Sequence, residues 1–205
     1  ITGATGFIGA AVTAELLAAG AAVAVLLRPD SNPKRLSALS GYVELTYSSL
    51  ADEQLKNNLS AFKPDVFVHC AWRGVSGSER NEGYQLTENI PATMESVQLA
   101  SASGCRHWIG LGSQAEYGNL NRLLNEDAST RPTTLYGKAK LAGGVVALGL
   151  CEVYKITGSW LRIFSTYGPG DSPHWFLPYV TQELIAGRAP NLTGCEQIWD
   201  YLYVT

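Results

Sequence analysis

The stretch Ile1-Thr2-Gly3-Ala4-Thr5-Gly6-Phe7-Ile8-Gly9 constrains the fold more than any other part of this chain. Gly3, Gly6 and Gly9 stand three residues apart, and an apolar run suited to a helix follows from Phe7 to Ala19. A glycine turn that opens onto a helix N-terminus leaves backbone N–H groups pointing outward. It has no Cβ atoms to block a close approach, and a diphosphate needs both conditions. The spacing is G-x-x-G-x-x-G rather than the commoner G-x-G-x-x-G. In a chain with 21 glycines it fits either a dinucleotide-binding βαβ unit or a tight strand–helix turn without a ligand. The motif calls for a preceding strand, of which only Ile1 and Thr2 are present. The sequence therefore reads as a fragment whose first strand is cut.

The rest of the chain alternates strand and helix. Ala22 to Leu27 is a continuous apolar run, the pattern of a strand buried on both faces of a parallel sheet. Further strands are expected at Tyr42–Tyr47, Val66–Cys70, His107–Ser113 and Ser159–Phe164. Helices are expected at about 52–61, across 89–103, at 132–154 and at 176–186. Pro91 leaves two starts open for the second of these: a helix through Asn89, or one beginning near Pro91 with Asn89 free to face a ligand. Such alternation gives an α/β doubly wound parallel sheet of Rossmann type, with ligands outside the carboxyl ends of the strands. Residues 1–165 form the dinucleotide-binding domain on this reading, and 166–205 begin a smaller substrate lobe.

The end of the strand 22–27 is where such a fold reads the adenosine ribose. Arg28 stands there in place of an acid, and a guanidinium suits the 2′-phosphate of NADP better than the 2′-hydroxyl of NAD. The alternative is an arginine solvated in a loop. His69, inside an apolar strand, reads as a core histidine. Tyr136 and Lys140 share a helix face, about 5–6 Å apart. An ammonium beside a phenol lowers its pKa from about 10. The phenol can then exchange a proton with a carbonyl or alcohol oxygen while hydride moves to or from a nicotinamide. Ser113, at a strand end, offers a hydroxyl to the same oxygen.

With TGATGFIG (2–9), HCAW (69–72), ENIPAT (88–93), GSQAEYG (112–118), LYGKAK (135–140), LRIFSTYGPGD (161–171) and DYLYV (200–204), the sequence resembles the extended short-chain dehydrogenases/reductases. Within them it is similar to the NAD(P)-dependent epimerase/dehydratase group that acts on nucleotide sugars. The resemblance implies a catalytic triad of Ser113, Tyr136 and Lys140. It implies cofactor contacts from Gly3, Thr5, Gly6, Phe7, Ile8, Gly9, Arg28, Ser49, Leu50, Cys70, Ala71, Trp72, Asn89, Tyr136, Lys140 and Phe164. Substrate contacts are implied at Gln114, Ser165, His174 and Trp175, with no metal. NADP is the expected cofactor and NAD the alternative.

The departures from the family pattern matter as well. Its dehydratases carry an Asp-Glu pair where Gln114 and Ala115 stand, which argues against water elimination. Glu116 follows as a neighbouring loop acid. Asn and Arg often occupy the positions of Ser165 and Trp199, where they usually face the substrate diphosphate, so the resemblance leaves the sugar-nucleotide pose open. The leading expectation is reduction of a 4-keto-6-deoxy sugar nucleotide. The alternative is a nucleotide-sugar 4-epimerase with tightly bound NAD, and a third reading is a non-catalytic NADP-binding protein.

A net charge of −3 gives no basic surface for nucleic acid, and no apolar run is long enough for a membrane span. Cys70, Cys105, Cys151 and Cys195 are widely spaced and read as reduced, buried residues of a cytoplasmic protein. A homodimer through the long helices is the family-level expectation.

Overall fold

A computed structural model describes residues 1–205. Five parallel strands carry the fold: β1 (Val23–Leu27), β2 (Tyr42–Thr46), β3 (Val66–His69), β4 (His107–Ser113) and β5 (Thr157–Ile163). β1 pairs with β2, and β3, β4 and β5 pair in that order. Thr2 joins the two groups. It bridges in parallel to Leu26 on one side and His69 on the other. Its N–H donates to Val68 O at 3.0 Å, and its carbonyl accepts from Cys70 N at 3.2 Å. Two residues thus hold the central strand position, and the spatial order becomes β2, β1, Thr2, β3, β4, β5. The chain reverses direction of progress at Thr2, so the cleft above it is the switch point where ligands sit in open α/β sheets.

The helices are α1 (Phe7–Ala18), α2 (Glu53–Phe62), the short α3 (Tyr84–Thr87), α4 (Asn89–Ala102), α5 (Leu135–Tyr154) and α6 (Phe176–Ile185). Both faces of the sheet are covered. On one, Leu26, Leu55, Leu59, Phe67, Val97, Trp108, Ala147 and Cys151 form a core beneath α2, α4 and α5. On the other, Ala4, Ala10, Val23, Val25, Leu27 and Leu36 pack beneath α1. All five β1 residues are buried, with Val23, Val25 and Leu27 in one core and Leu26 in the other. The unbroken apolar run has that cause.

Several boundaries differ from the sequence reading. Of the two starts left open for α4, the helix takes the one at Asn89, so Pro91 falls in the first turn, where its missing N–H breaks no helical bond. α5 starts at Leu135 rather than 132, where the Thr134 side chain accepts from Gly137 N at 3.1 Å. β5 runs 157–163 rather than 159–164. β6 (Ser165–Tyr167) and β7 (Tyr201–Tyr203) form a separate parallel pair. The cysteines are free. Cys105 and Cys151 are buried as expected, but Cys195 is exposed and Cys70 only half-buried. Cys195 sits in an irregular segment beyond α6 with no core to receive it, and Cys70 lies at the strand end that opens on the cleft.

Candidate active site

The glycine turn and the carboxyl ends of β3, β4 and β5 open on one cavity of about 900 Å³. The turn itself is built for close approach. Gly3 has φ +67°, and a Cβ on it would lie 2.6 Å from Ala71 N. A Cβ on Gly9 would run into the Gly3 carbonyl oxygen. Gly6 takes the N-cap position of α1 with no side-chain cap, and the first turn holds no acid. The free N–H groups and the dipole of α1 therefore face the cavity, and the geometry fits a dinucleotide diphosphate.

Ser113 ends β4, and Tyr136 and Lys140 rise from the first turns of α5. All three line the cavity. Lys140 is 4% exposed. Its Nζ donates to Leu111 O at 2.7 Å and lies 3.7 Å from the centroid of the Trp72 ring. Burial brings its pKa down to about 7, with Glu116 and Cys70 opposing. Burial also pushes the Tyr136 phenol above its usual range, while the Ser113 hydroxyl and Arg80 pull it back. A lowered phenol is what the Tyr–Lys spacing alone suggests; in the folded chain desolvation outweighs the Ser113 hydrogen bond and the Arg80 charge.

Beneath Ser113 lies Glu116, which is fully buried. Its Oε1 accepts from Ser113 N at 2.8 Å and Trp160 Nε1 at 3.0 Å, and its Oε2 accepts from Arg162 Nε at 2.8 Å. Arg162 also donates to Tyr117 Oη at 2.9 Å. The sequence marks Glu116 only as a loop acid. The structure makes it the anchor of the Ser113 backbone.

A model of the family described as "NAD dependent epimerase/dehydratase family" matches residues 1–205. The chain belongs to that family. It is 29% identical to a UDP-glucose 4-epimerase of Mycolicibacterium smegmatis, over the whole of this chain and 68% of that protein. It is 30% identical to a dTDP-6-deoxy-L-talose 4-dehydrogenase (NAD(P)(+)) of Kitasatospora kifunensis, over 95% of this chain and 60% of that one. A solved UDP-N-acetylglucosamine 4-epimerase of Methanobrevibacter ruminantium, in complex with UDP-N-acetylmuramic acid, superposes with a TM-score of 0.84 at 22% identity. That match covers 99% of this chain and 67% of the neighbour. Several curated relatives are matched over only half to three fifths of their length.

Within this epimerase/dehydratase fold, Gly3, Gly6, Phe7, Ile8, Gly9, Cys70, Trp72, Ser113, Gln114, Tyr136, Lys140, Phe164, Ser165 and Trp175 line the cavity together. Other expected contacts lie off its walls. Arg28 is exposed, with Nε 3.5 Å from Asp30 Oδ1. Ser49 is exposed and caps its own turn, accepting from Ala51 N at 3.1 Å, while Leu50 is buried in the core. His174 is exposed, Thr5 O accepts from Arg35, and Ala71 packs on Gly3.

Asn89 does not present its side chain to a ligand. It is buried, accepting from Arg73 N and donating to Arg73 O, both at 2.9 Å, and to Gln85 Oε1 at 3.1 Å. It pins the loop after β3 instead. Its place at the start of α4, facing that loop, decides this. His69 is a core histidine stacked on Trp108. Its Nδ1 lies 2.9 Å from Thr2 Oγ1, and its buried Nε2 has no partner. Burial holds its pKa at about 3, so it stays neutral.

Two cations that the sequence reading passed over also line the cavity, Arg35 and Arg80. Arg35 donates to Thr5 O at 3.2 Å and to Gly170 O at 3.0 Å, tying the glycine turn to the segment after β6. Neither arginine belongs to a motif. Only the folding of two separate loops towards the cleft brings them in. The two departures at Ser165 and Trp199 prove to be partners, with Trp199 Nε1 donating to Ser165 Oγ at 2.7 Å.

Proposed function

We propose that this chain carries the cofactor site and proton-transfer machinery of an NAD(P)-dependent oxidoreductase acting on a nucleotide sugar. The observation that carries the reading is the shared cavity: Ser113, Tyr136 and Lys140 face the uncapped α1 N-terminus across it. The glycine turn and α1 would hold the cofactor diphosphate, and the walls formed by Trp72, Cys70 and Phe164 would exclude water around the reacting end. The bound nicotinamide supplies or accepts the hydride. The Ser113 hydroxyl holds the substrate carbonyl oxygen. Tyr136 gives its phenolic proton to that oxygen as it becomes an alkoxide, and takes the proton back in the reverse direction.

The finer reading is reduction of a 4-keto-6-deoxy sugar nucleotide with NADP. It draws support from Gln114 and Ala115, which offer no acid for water elimination, from Arg28 at the ribose end, and from the likeness to the talose dehydrogenase. A 4-epimerase with retained NAD is the second reading, favoured by the match to the mycobacterial epimerase over the whole of this chain. Mixing the protein with NADPH and a panel of 4-keto-6-deoxy nucleotide sugars separates them. Loss of NADPH absorbance is expected for the reductase. Interconversion of UDP-sugars without cofactor consumption would establish the epimerase in its place. Loss of turnover in Tyr136→Phe is expected in both, and unchanged biological activity of that variant would indicate a binding protein.

A homodimer belongs to the same proposal, supported by the apolar Val145 and Val153 left exposed along α5. No helix is long and apolar enough to cross a membrane. A cytoplasmic location remains part of the proposal.

A further inference from the structure

Lys140 rests against an indole face. Its Nζ lies 3.7 Å from the centroid of the Trp72 ring, well inside the range of about 6 Å over which an aromatic face attracts a cation. The Trp160 and Tyr136 rings stand farther off, at 5.8 Å and 5.9 Å. The Leu111 carbonyl accepts one Nζ proton at 2.7 Å. Lys140 is buried, so these contacts stand in for the water that an ammonium would otherwise hold.

A buried amide on α3 fixes the ring. Trp72 Nε1 donates to Gln85 Oε1 at 2.8 Å. Gln85 is fully buried, and both ends of its amide are fully used. Its Oε1 also accepts from Asn89 Nδ2 at 3.1 Å. Its Nε2 donates to Gly74 O at 2.6 Å and to Glu79 O at 3.1 Å. An amide offers two donors and two acceptor sites, so these four bonds leave it one orientation. Gln85 thus ties down the loop after β3 and presents a fixed acceptor to the indole.

Burial works against the ammonium and brings its pKa to about 7. Two groups oppose that fall, Glu116 from the turn after β4 and Cys70 at the end of β3. Neither is free to pair with it. Glu116 is spent on Arg162, and burial pushes the Cys70 thiol itself up to about 11. His69, on β3, is neutral, and Tyr136 lies one turn earlier on α5. The indole face is the favourable contact left for the charge.

We propose that Trp72 keeps Lys140 charged in this desolvated site, and that Gln85 is the positioning residue that holds the indole face against the ammonium. The use made of that charge rests on the reading of Tyr136 as the proton-transferring group. A lysine that lost its proton would no longer favour the phenolate beside it.

The test is an NMR titration of the full chain labelled with carbon-13 at the lysine Cε, with Lys140→Met to assign the resonance. Trp72→Leu keeps an apolar side chain but removes the aromatic face. It is expected to lower the Lys140 pKa by about one unit, the size of a desolvated cation–π contact. Trp72→Phe keeps a smaller face and is expected to lower it less. Gln85→Leu leaves the indole present but unheld, so a fall smaller than that of Trp72→Leu is expected. A Lys140 pKa unmoved or raised in Trp72→Leu would overturn the proposal. So would equal shifts in the Phe and Leu variants, which would make packing alone the cause. An unmoved titration in Gln85→Leu would overturn the role of Gln85. Thermal melts confirm that each titrated variant is folded. Should Gln85→Leu not fold, hydrogen exchange of the Trp72 indole N–H in the unaltered protein decides: protection is expected, and exchange at the rate of a free indole would overturn it. These measurements need neither cofactor nor substrate. A failure of NADPH to bind would count against the functional reading alone.

Discussion

Glu116 Oε2 and Arg162 Nε lie 2.8 Å apart directly beneath Ser113, with the carboxylate fully buried and the arginine side chain 26% exposed. The same carboxylate accepts from the Ser113 backbone N–H and the Trp160 indole. A Cβ on Gly112 would lie 2.5 Å from both Glu116 Oε1 and Trp160 Nε1, so the strand keeps a glycine where this network passes. The chain spends a buried ion pair on holding one loop still.

Breaking that pair should therefore be felt twice. Glu116→Ala leaves Arg162 unpaired and three donors without an acceptor. Buried pairs broken on one side cost about 3–5 kcal/mol, and the partial exposure of Arg162 reduces the expectation to about 2–3 kcal/mol. A urea melt measures it. Turnover, measured on the folded fraction, should fall as well, since the Ser113 N–H loses its anchor.

The Lys140 ammonium should make stability rise with pH. Its folded pKa is about 7, against 10.5 for the free side chain. Between those values the unfolded chain holds a proton that the folded chain has lost, so folding gains as pH increases. The penalty is full below pH 7 and gone above 10.5, changing by up to about 1.4 kcal/mol per pH unit in between. Lys140→Met removes this dependence. The stability difference between the two proteins, followed by melts from pH 6 to 10, should shrink as pH rises, and a flat difference would refute it.

Arg28 and Arg35 should separate in cofactor titrations. Arg28 is exposed, with Asp30 as its neighbour, at the strand end proposed to read the adenosine ribose, so Arg28→Asp is expected to weaken NADPH by about tenfold or more while sparing NADH. Arg35 bridges the Thr5 and Gly170 carbonyls beside the diphosphate position. Arg35→Ala should weaken both cofactors alike. Nucleotide fluorescence titration reads both. A preference for NADH in the unaltered protein would overturn the Arg28 argument.

Asn89→Leu tests whether that residue serves the loop or a ligand. It removes two bonds to the Arg73 backbone and one to Gln85. Stranding buried backbone groups costs about 1–3 kcal/mol each, partly recovered where water reaches Arg73. A loss of roughly 2 kcal/mol in a thermal melt, with residual cofactor affinity little changed in the folded protein, is expected. A large affinity loss without destabilisation would return Asn89 to the cofactor wall.

The parts of the site legible in the sequence are those set by local backbone. Gly3, Gly6 and Gly9 announce a turn, since a Cβ has no room at Gly3 and Gly9 and a tight fit at Gly6. Tyr136 and Lys140 announce a shared face because helical spacing is fixed. Ser113 follows from its place at a strand end. Arg35, Arg80, Glu116 and Arg162 gave no comparable signal. A charged residue in a loop looks the same whether it is solvated or turned inward.

The sequence by itself determined the alternation of strands and helices, the doubly wound sheet and the family. Each of these follows from short-range pattern: apolar runs buried on two faces, and glycines where side chains have no space. Tertiary structure alone decided where the charges lie. It buried Glu116 and paired it, hid Lys140 behind Trp72, and brought Arg80 to the cavity wall beside the Tyr136 ring. It also turned Asn89 away from the cleft. The physical reason is that burial and distance set electrostatic strength, and both depend on segments far apart in the chain meeting at the switch point.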